Sequence, residues 1–224
     1  MSHRIYRNLP NIASILGVFP LGFLLLPQGY VFLIPLILFN NFMDDLDGVL
    51  AARLNLKSDF GAILDNVCDA ASHTLFVLLV SMHYGGYCAL GGAVAVICIL
   101  LRISLRLKSP PQPPRGSSTN ELIRHMLFLL LLADQFEFNT AIPLTVLFAL
   151  HGISMLVPFE IPHLIRNMTR TTGSIALVNL ALITAWLVPV TVIPIAICFV
   201  GTYLYSILTQ TFKFMVVPTS TGNP

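Results

Sequence analysis

Twelve lysines and arginines stand in this chain, and their placement constrains its fold more than any other feature. Arg4, Arg7, Arg53, Lys57, Arg102, Arg106, Lys108, Arg115, Arg124, Arg166, Arg170 and Lys213 all fall on or beside alternate breaks between long apolar runs. The intervening breaks, at 26–30, 83–87, 134–139 and 189–191, hold none. Cytoplasmic connections of membrane proteins carry the excess of Lys and Arg, so this pattern predicts a chain threaded through a bilayer with both termini cytoplasmic. Over 224 residues the chain is 56% hydrophobic and 10% charged, which excludes a soluble globular domain.

The apolar runs lie at about 11–26, 31–54, 60–82, 88–107, 120–133, 140–157, 173–188 and 191–214. They predict an all-α, polytopic membrane bundle of about eight transmembrane helices, six of them forming the core. Pro20 predicts a kink in the first run. Residues 108–120, with four prolines and Gly116, predict a loop, and 158–171, with His163, Arg166 and Arg170, an interfacial helix. One domain is expected over 1–224, with its functional core at about 31–107. Cys68, Cys88, Cys98 and Cys198 lie in apolar runs without ligand spacing and read as buried small hydrophobes.

Against this background the acidic residues stand out. Six of the ten lie between positions 44 and 69, where no solvated face accounts for them. Carboxylates inside an apolar segment are costly unless paired or ligated, and they mark function. Asp44 and Asp47 are three apart and Asp65 and Asp69 four apart, so each pair shares one helix face. Gly48 and Ala51 continue the first face as a nearly bare surface, and Gly61 precedes the second pair. Two facing helices then offer four carboxylates to one point. Oxygen-only ligation suits Mg²⁺ or Mn²⁺, which usually accompany a phosphate-bearing substrate. Asp45 points away from this face and Asp59 sits in the connection, both read as interfacial. The same residues also admit a structural carboxylate network, or the cation or proton pathway of a transporter.

The spacing resembles the signature of the CDP-alcohol phosphotransferase (CDP-alcohol phosphatidyltransferase) family, D-x-x-D-G-x-x-A-R-x8-G-x-x-x-D-x-x-x-D. Asp44, Asp47, Gly48, Ala51, Gly61, Asp65 and Asp69 fall on it, while the family Arg is Ala52 here and Arg53 follows. The resemblance implies a phosphatidyl transfer from CDP-diacylglycerol or a related CDP-lipid to a small alcohol, releasing CMP. It implies Asp44, Asp47, Asp65 and Asp69 as ligands of Mg²⁺ or Mn²⁺ cofactors, two ions by analogy, with Asp69 also the catalytic base. Asp44, Asp47, Gly48, Ala51, Arg53 and Gly61 are implied as CDP contacts. Ser72, His73, Arg102, Arg106 and Arg124 are the candidates for acceptor binding, with topology anchoring as the other reading of the arginines. The resemblance also implies a homodimer in a bacterial inner membrane, its site facing the cytoplasm, with no nucleic-acid partner.

Ser58-Asp59-Phe60-Gly61-Ala62, Leu64-Asp65, Asp69, Ser72 and Gly17 look most like the phosphatidylserine synthase branch, which points to serine. Asn66, Ala70 and His73-Thr74-Leu75 depart from that branch or its sisters. Glycerol 3-phosphate, inositol or its phosphate, and another amino alcohol stay open as acceptors. A transporter or a non-catalytic scaffold stays open as a function of another class.

Overall fold

Helix is the rule wherever the computed structural model describes the chain, at residues 2–108, 118–157, 165 and 171–216. A bilayer explains why: a helix satisfies its own N–H and C=O groups, and lipid offers them no other partner. The helices are α1 (Ser2–Arg7), α2 (Leu9–Val18), α3 (Leu33–Arg53), α4 (Asp59–Tyr84), α5 (Gly86–Lys108), α6 (Ser118–Phe136), α7 (Ala141–Leu156), α8 (Thr172–Leu187) and α9 (Val192–Val216). The expected loop over 108–120 falls mostly, and the expected interfacial helix over 158–171 almost wholly, outside the described residues, as do Arg115, His163, Arg166 and Arg170.

Two proline effects reshape the N-terminal part. Pro10 lies in the first turn of α2, where its missing N–H costs nothing, and the chain breaks at Asn8 between α1 and α2. The basic N-terminus thus forms a short helix of its own, Ser2–Arg7. Pro20 does more than kink the first run: α2 stops at Val18, and residues Phe19–Leu25 continue as a 3₁₀ helix.

Among the described residues, three helices suffice by length and composition to cross a membrane: Asp59–Tyr84, Gly86–Leu107 and Pro189–Val216. Leu9–Leu25, Ala141–Leu156 and Thr172–Leu187 are apolar but shorter. The 21-residue α3 and the 19-residue α6 are long enough, yet both carry charges. Four of those charges turn inward, since Asp45, Asp47, Glu121 and Arg124 are buried, while Arg53 and Asp134, toward the helix ends, are exposed. Apolar side chains face out instead, as Leu90, Val94, Ile97, Leu101 and Leu105 do along α5. A bundle with charge inside and a hydrocarbon surface is what a polytopic membrane protein requires.

The core beneath is well filled. Phe76, Phe128, Phe148, Ile37, Ile99 and Leu122 are among its fully buried side chains. Gly92 lets α5 close on α4, because a Cβ there would fall on the Ser81 side chain. Gly85 and Gly86, both with positive φ (65° and 49°), make the tight reversal between these helices.

Candidate active site

The site begins with a turn. At the end of α3 the Leu56 N–H donates to the Ala51 carbonyl (3.0 Å) and the Asn55 N–H to that of Ala52 (3.5 Å). This is a Schellman closure, and Asn55 supplies the left-handed residue it needs, with φ 53°. Asn tolerates that conformation better than other residues with a Cβ. Ser58 then caps α4, its Oγ accepting from the Gly61 N–H at 3.0 Å. The two acidic helix ends are thereby laid side by side.

Carboxylate oxygens of Asp44, Asp47 and Asp65 come within 4.8 Å of one another. Asp69 lines the same cleft but stands outside that trio. One turn of α4 separates it from Asp65, about 6 Å along the axis. Ser14 and Gly17 of α2 and Asn40 of α3 complete the wall on the other side.

Neighbouring helices hold the carboxylates in place. Asp47 is buried, and the Ser14 hydroxyl donates to its Oδ2. Gly17 allows α2 this close, since a Cβ there would stand 3.0 Å from the Met43 Cβ. The Asn40 amide donates to the Gly17 carbonyl at 3.3 Å. Asp44 Oδ2 accepts from Asn120 Nδ2 of α6 at 2.9 Å.

Asp45 faces the opposite way, into the contact with α8. Its Oδ2 accepts from Asn179 Nδ2 (2.7 Å) and Asn41 Nδ2 (3.4 Å). Asn41 also donates to Asn179 Oδ1 (2.9 Å) and accepts from Arg124 Nε (2.9 Å). Arg124 reaches Glu121 at 3.5 Å as well. A buried cation thus offsets the buried Asp45 carboxylate through one bridging amide, sparing both the cost of isolation in a low dielectric.

The remaining sequence candidates separate. Gly48 is open, with nothing within 4 Å of where a Cβ would be, and Ala51 is half-buried beyond it. Ala52 and Arg53 are exposed, and neither lines the cleft. Gly61 lies against the cap and α2, its would-be Cβ 3.1 Å from Ser58 Oγ and 3.2 Å from Asn11 Oδ1. The Ser72 hydroxyl turns onto its own helix, donating to the Cys68 (2.9 Å) and Asp69 (3.1 Å) carbonyls. His73 is buried one turn past Asp69. The arginines do not act as a group: Arg124 joins α3, Arg102 donates to the Met155 carbonyl of α7 (3.3 Å), and Arg106 is exposed.

Ser14, Asn120 and Asn179 escaped sequence reasoning. A signal existed for Asn179, an amide in the middle of an apolar run, which a membrane helix retains only with a partner. Ser14 and Asn120 have no such signature, because serine and asparagine near helix starts are ordinary.

Comparison with known proteins bears on this geometry. Residues 7–220 match the family CDP-alcohol phosphatidyltransferase. An 85-residue stretch is 36% identical to a protein of Aquifex aeolicus (strain VF5) described as uncharacterized, covering 37% of this chain and 43% of that protein. With the family match running over nearly the whole chain, and its aspartates gathered in one cleft, the chain belongs to the CDP-alcohol phosphatidyltransferase family.

Proposed function

We propose that this protein transfers a phosphatidyl group from CDP-diacylglycerol, or a similar CDP-lipid, to a small alcohol, with serine as the leading acceptor. The observation that carries this reading is the convergence of Asp44, Asp47 and Asp65 within 4.8 Å in a cleft that Asp69 also lines. An all-oxygen donor set this close fits a hard divalent cation, Mg²⁺ or Mn²⁺, with Asp44, Asp47 and Asp65 holding it and Asp69 at its edge. Such ions, when bound, neutralise charge developing on the phosphoryl oxygens and on the departing CMP.

The chain's own groups supply the rest. Asp69, outside the closest trio, is the base that takes the acceptor's hydroxyl proton. The acceptor oxygen bonds to the phosphatidyl phosphorus as the diphosphate P–O bond breaks, and CMP leaves with that electron pair. The open surface at Gly48 and Ala51 admits the nucleotide, with Arg53 and Gly61 at its margins. Ser14 and Asn120 keep Asp47 and Asp44 oriented toward the cleft. The sorting of basic residues supports a cytoplasmic opening in a bacterial inner membrane, and we take the working unit to be a homodimer.

The test is CMP release by the purified protein from CDP-diacylglycerol with Mn²⁺ or Mg²⁺, across serine, glycerol 3-phosphate, inositol, inositol phosphate and choline. Metal-dependent release with one acceptor, abolished in Asp69→Asn, is the expected result. Release independent of metal, or untouched by Asp69→Asn, would refute it.

A further inference from the structure

Two buried polar atoms beside Asp44 have no protein partner. His73 is 4% exposed and its Nδ1 is unbonded; Asn120 is 8% exposed and its Oδ1 is unbonded. Buried polar atoms rarely stay so, and each calls for a ligand, a water or an ion. The orientation of the Asn120 amide is chemically fixed. Its nitrogen lies 2.9 Å from Asp44 Oδ2, and a carboxylate only accepts, so the carbonyl oxygen must face away from Asp44.

The two atoms belong to one region. Helix α6, which carries Asn120, packs against α4, which carries His73. Asn120 touches Asp44 directly, and Arg124 follows it by one turn on the same face of α6. His73 lies one turn past Asp69 on α4, about 6 Å deeper than the cleft's last carboxylate. That is the span of a small alcohol whose hydroxyl sits at Asp69.

The donor and acceptor character of the region is equally specific. Asn120 Oδ1 can only accept, and His73 Nδ1 accepts or donates according to its tautomer. Arg124 places two of its five N–H donors on protein groups, Nε on Asn41 and Nη1 on Glu121, and its charge already faces the Glu121 carboxylate. A phosphate presents acceptors alone at neutral pH and would set its oxygens against the Asn120 carbonyl. An ammonium or hydroxyl group would donate to it.

We propose that His73 and Asn120 bind the far end of the acceptor alcohol and select one bearing N–H or O–H donors, an amino alcohol or a polyol, over a phosphorylated one. This rests on the transferase reading above and narrows it.

The experiment compares matched pairs in the CMP-release assay: serine with phosphoserine, glycerol with glycerol 3-phosphate, inositol with inositol phosphate. The unphosphorylated member of the best pair should have at least tenfold higher kcat/KM. His73→Phe should raise the acceptor KM tenfold or more while the Kd for CDP-diacylglycerol, measured by calorimetry without acceptor, stays within twofold. His73→Gln, which restores a polar atom, should recover part of the loss and carries the test if the phenylalanine variant does not fold. Preference for the phosphorylated member would overturn the inference. So would a His73→Phe protein with both constants unchanged, which would assign these atoms to a structural water, or with both shifted alike. Silence of the wild-type protein with every alcohol would instead sink the transferase reading, and this inference with it.

Discussion

Two polar inclusions among the described residues are built on opposite principles. One is the cleft between α3 and α4, where three carboxylates crowd together, Asp47 buried and Asp44 and Asp65 half-buried. The other is sealed between α6, α7 and α9. There His125 Nδ1 meets His151 Nε2 (2.9 Å), His151 Nδ1 meets the Tyr203 hydroxyl (3.1 Å), and that hydroxyl donates to Ser154 Oγ (2.6 Å). Ser154 closes the chain by donating to the His151 carbonyl at 2.8 Å. The His151 and Tyr203 rings also stack, with centroids 4.6 Å apart.

Donors and acceptors alternate along the sealed chain from His125 Nδ1 to Ser154, which stiffens the packing of three helices, while the other ring nitrogen of His125 lies 3.9 Å from Glu121. The open one collects groups of like charge, which raise one another's cost. Polar groups inside a membrane protein thus divide into those that complete the fold and those that the fold keeps incomplete.

The largest effect should come from breaking the open inclusion. Asp65→Asn keeps the shape but removes a charge from the trio. CMP release should fall at least about a hundredfold, since even the outer partners of metal ligands are worth 10–100-fold. Its melting temperature in EDTA should equal or exceed the parent's, because repulsion is relieved; a lower value would contradict this account of the cleft.

Tyr203→Phe probes the sealed inclusion. It strands Ser154 and His151 in a buried site, at a cost of about 1–3 kcal/mol. Thermal unfolding should come several degrees earlier, while the Mn²⁺ dependence of CMP release and the acceptor KM are unchanged. A shift in metal dependence would mean that the two inclusions are coupled.

The smallest effect tests the turn that brings the carboxylates together. Asn55→Gly keeps the left-handed conformation and should change stability by well under about 1 kcal/mol, whereas Asn55→Val should cost about 1–2 kcal/mol. Chemical denaturation in mixed micelles reads both, and equal costs would remove the turn from the argument.

How far the sequence foretold these inclusions follows the same division. The open one was legible because its residues are close in the chain: Asp44 to Asp69 lie on one helical hairpin, and helix periodicity fixes which faces they share. The sealed one was not. His125, His151 and Tyr203 are each unremarkable in their own runs, and only the packing of α6, α7 and α9 brings them together. The supports of the open cleft were hidden for the same reason, since Asn120 is 76 residues from Asp44, and Asn179 is 134 from Asp45. The position of Asp69 was half legible. Spacing put it on the right face, but helix periodicity alone does not say which carboxylates across the two helices come closest.

The Asn55 turn also bears on how the protein enters a membrane. The hairpin of α3 and α4 carries its aspartates next to the turn, while Leu33–Phe39 and Ala70–Val80 at the far ends are almost wholly apolar. The connections at those far ends, 26–32 and 84–86, hold no Asp, Glu, Lys or Arg. With the turn on the side from which the chain enters, as the proposed topology has it, the hairpin inserts with only uncharged connections crossing the hydrocarbon, and no carboxylate of the site is transported through it.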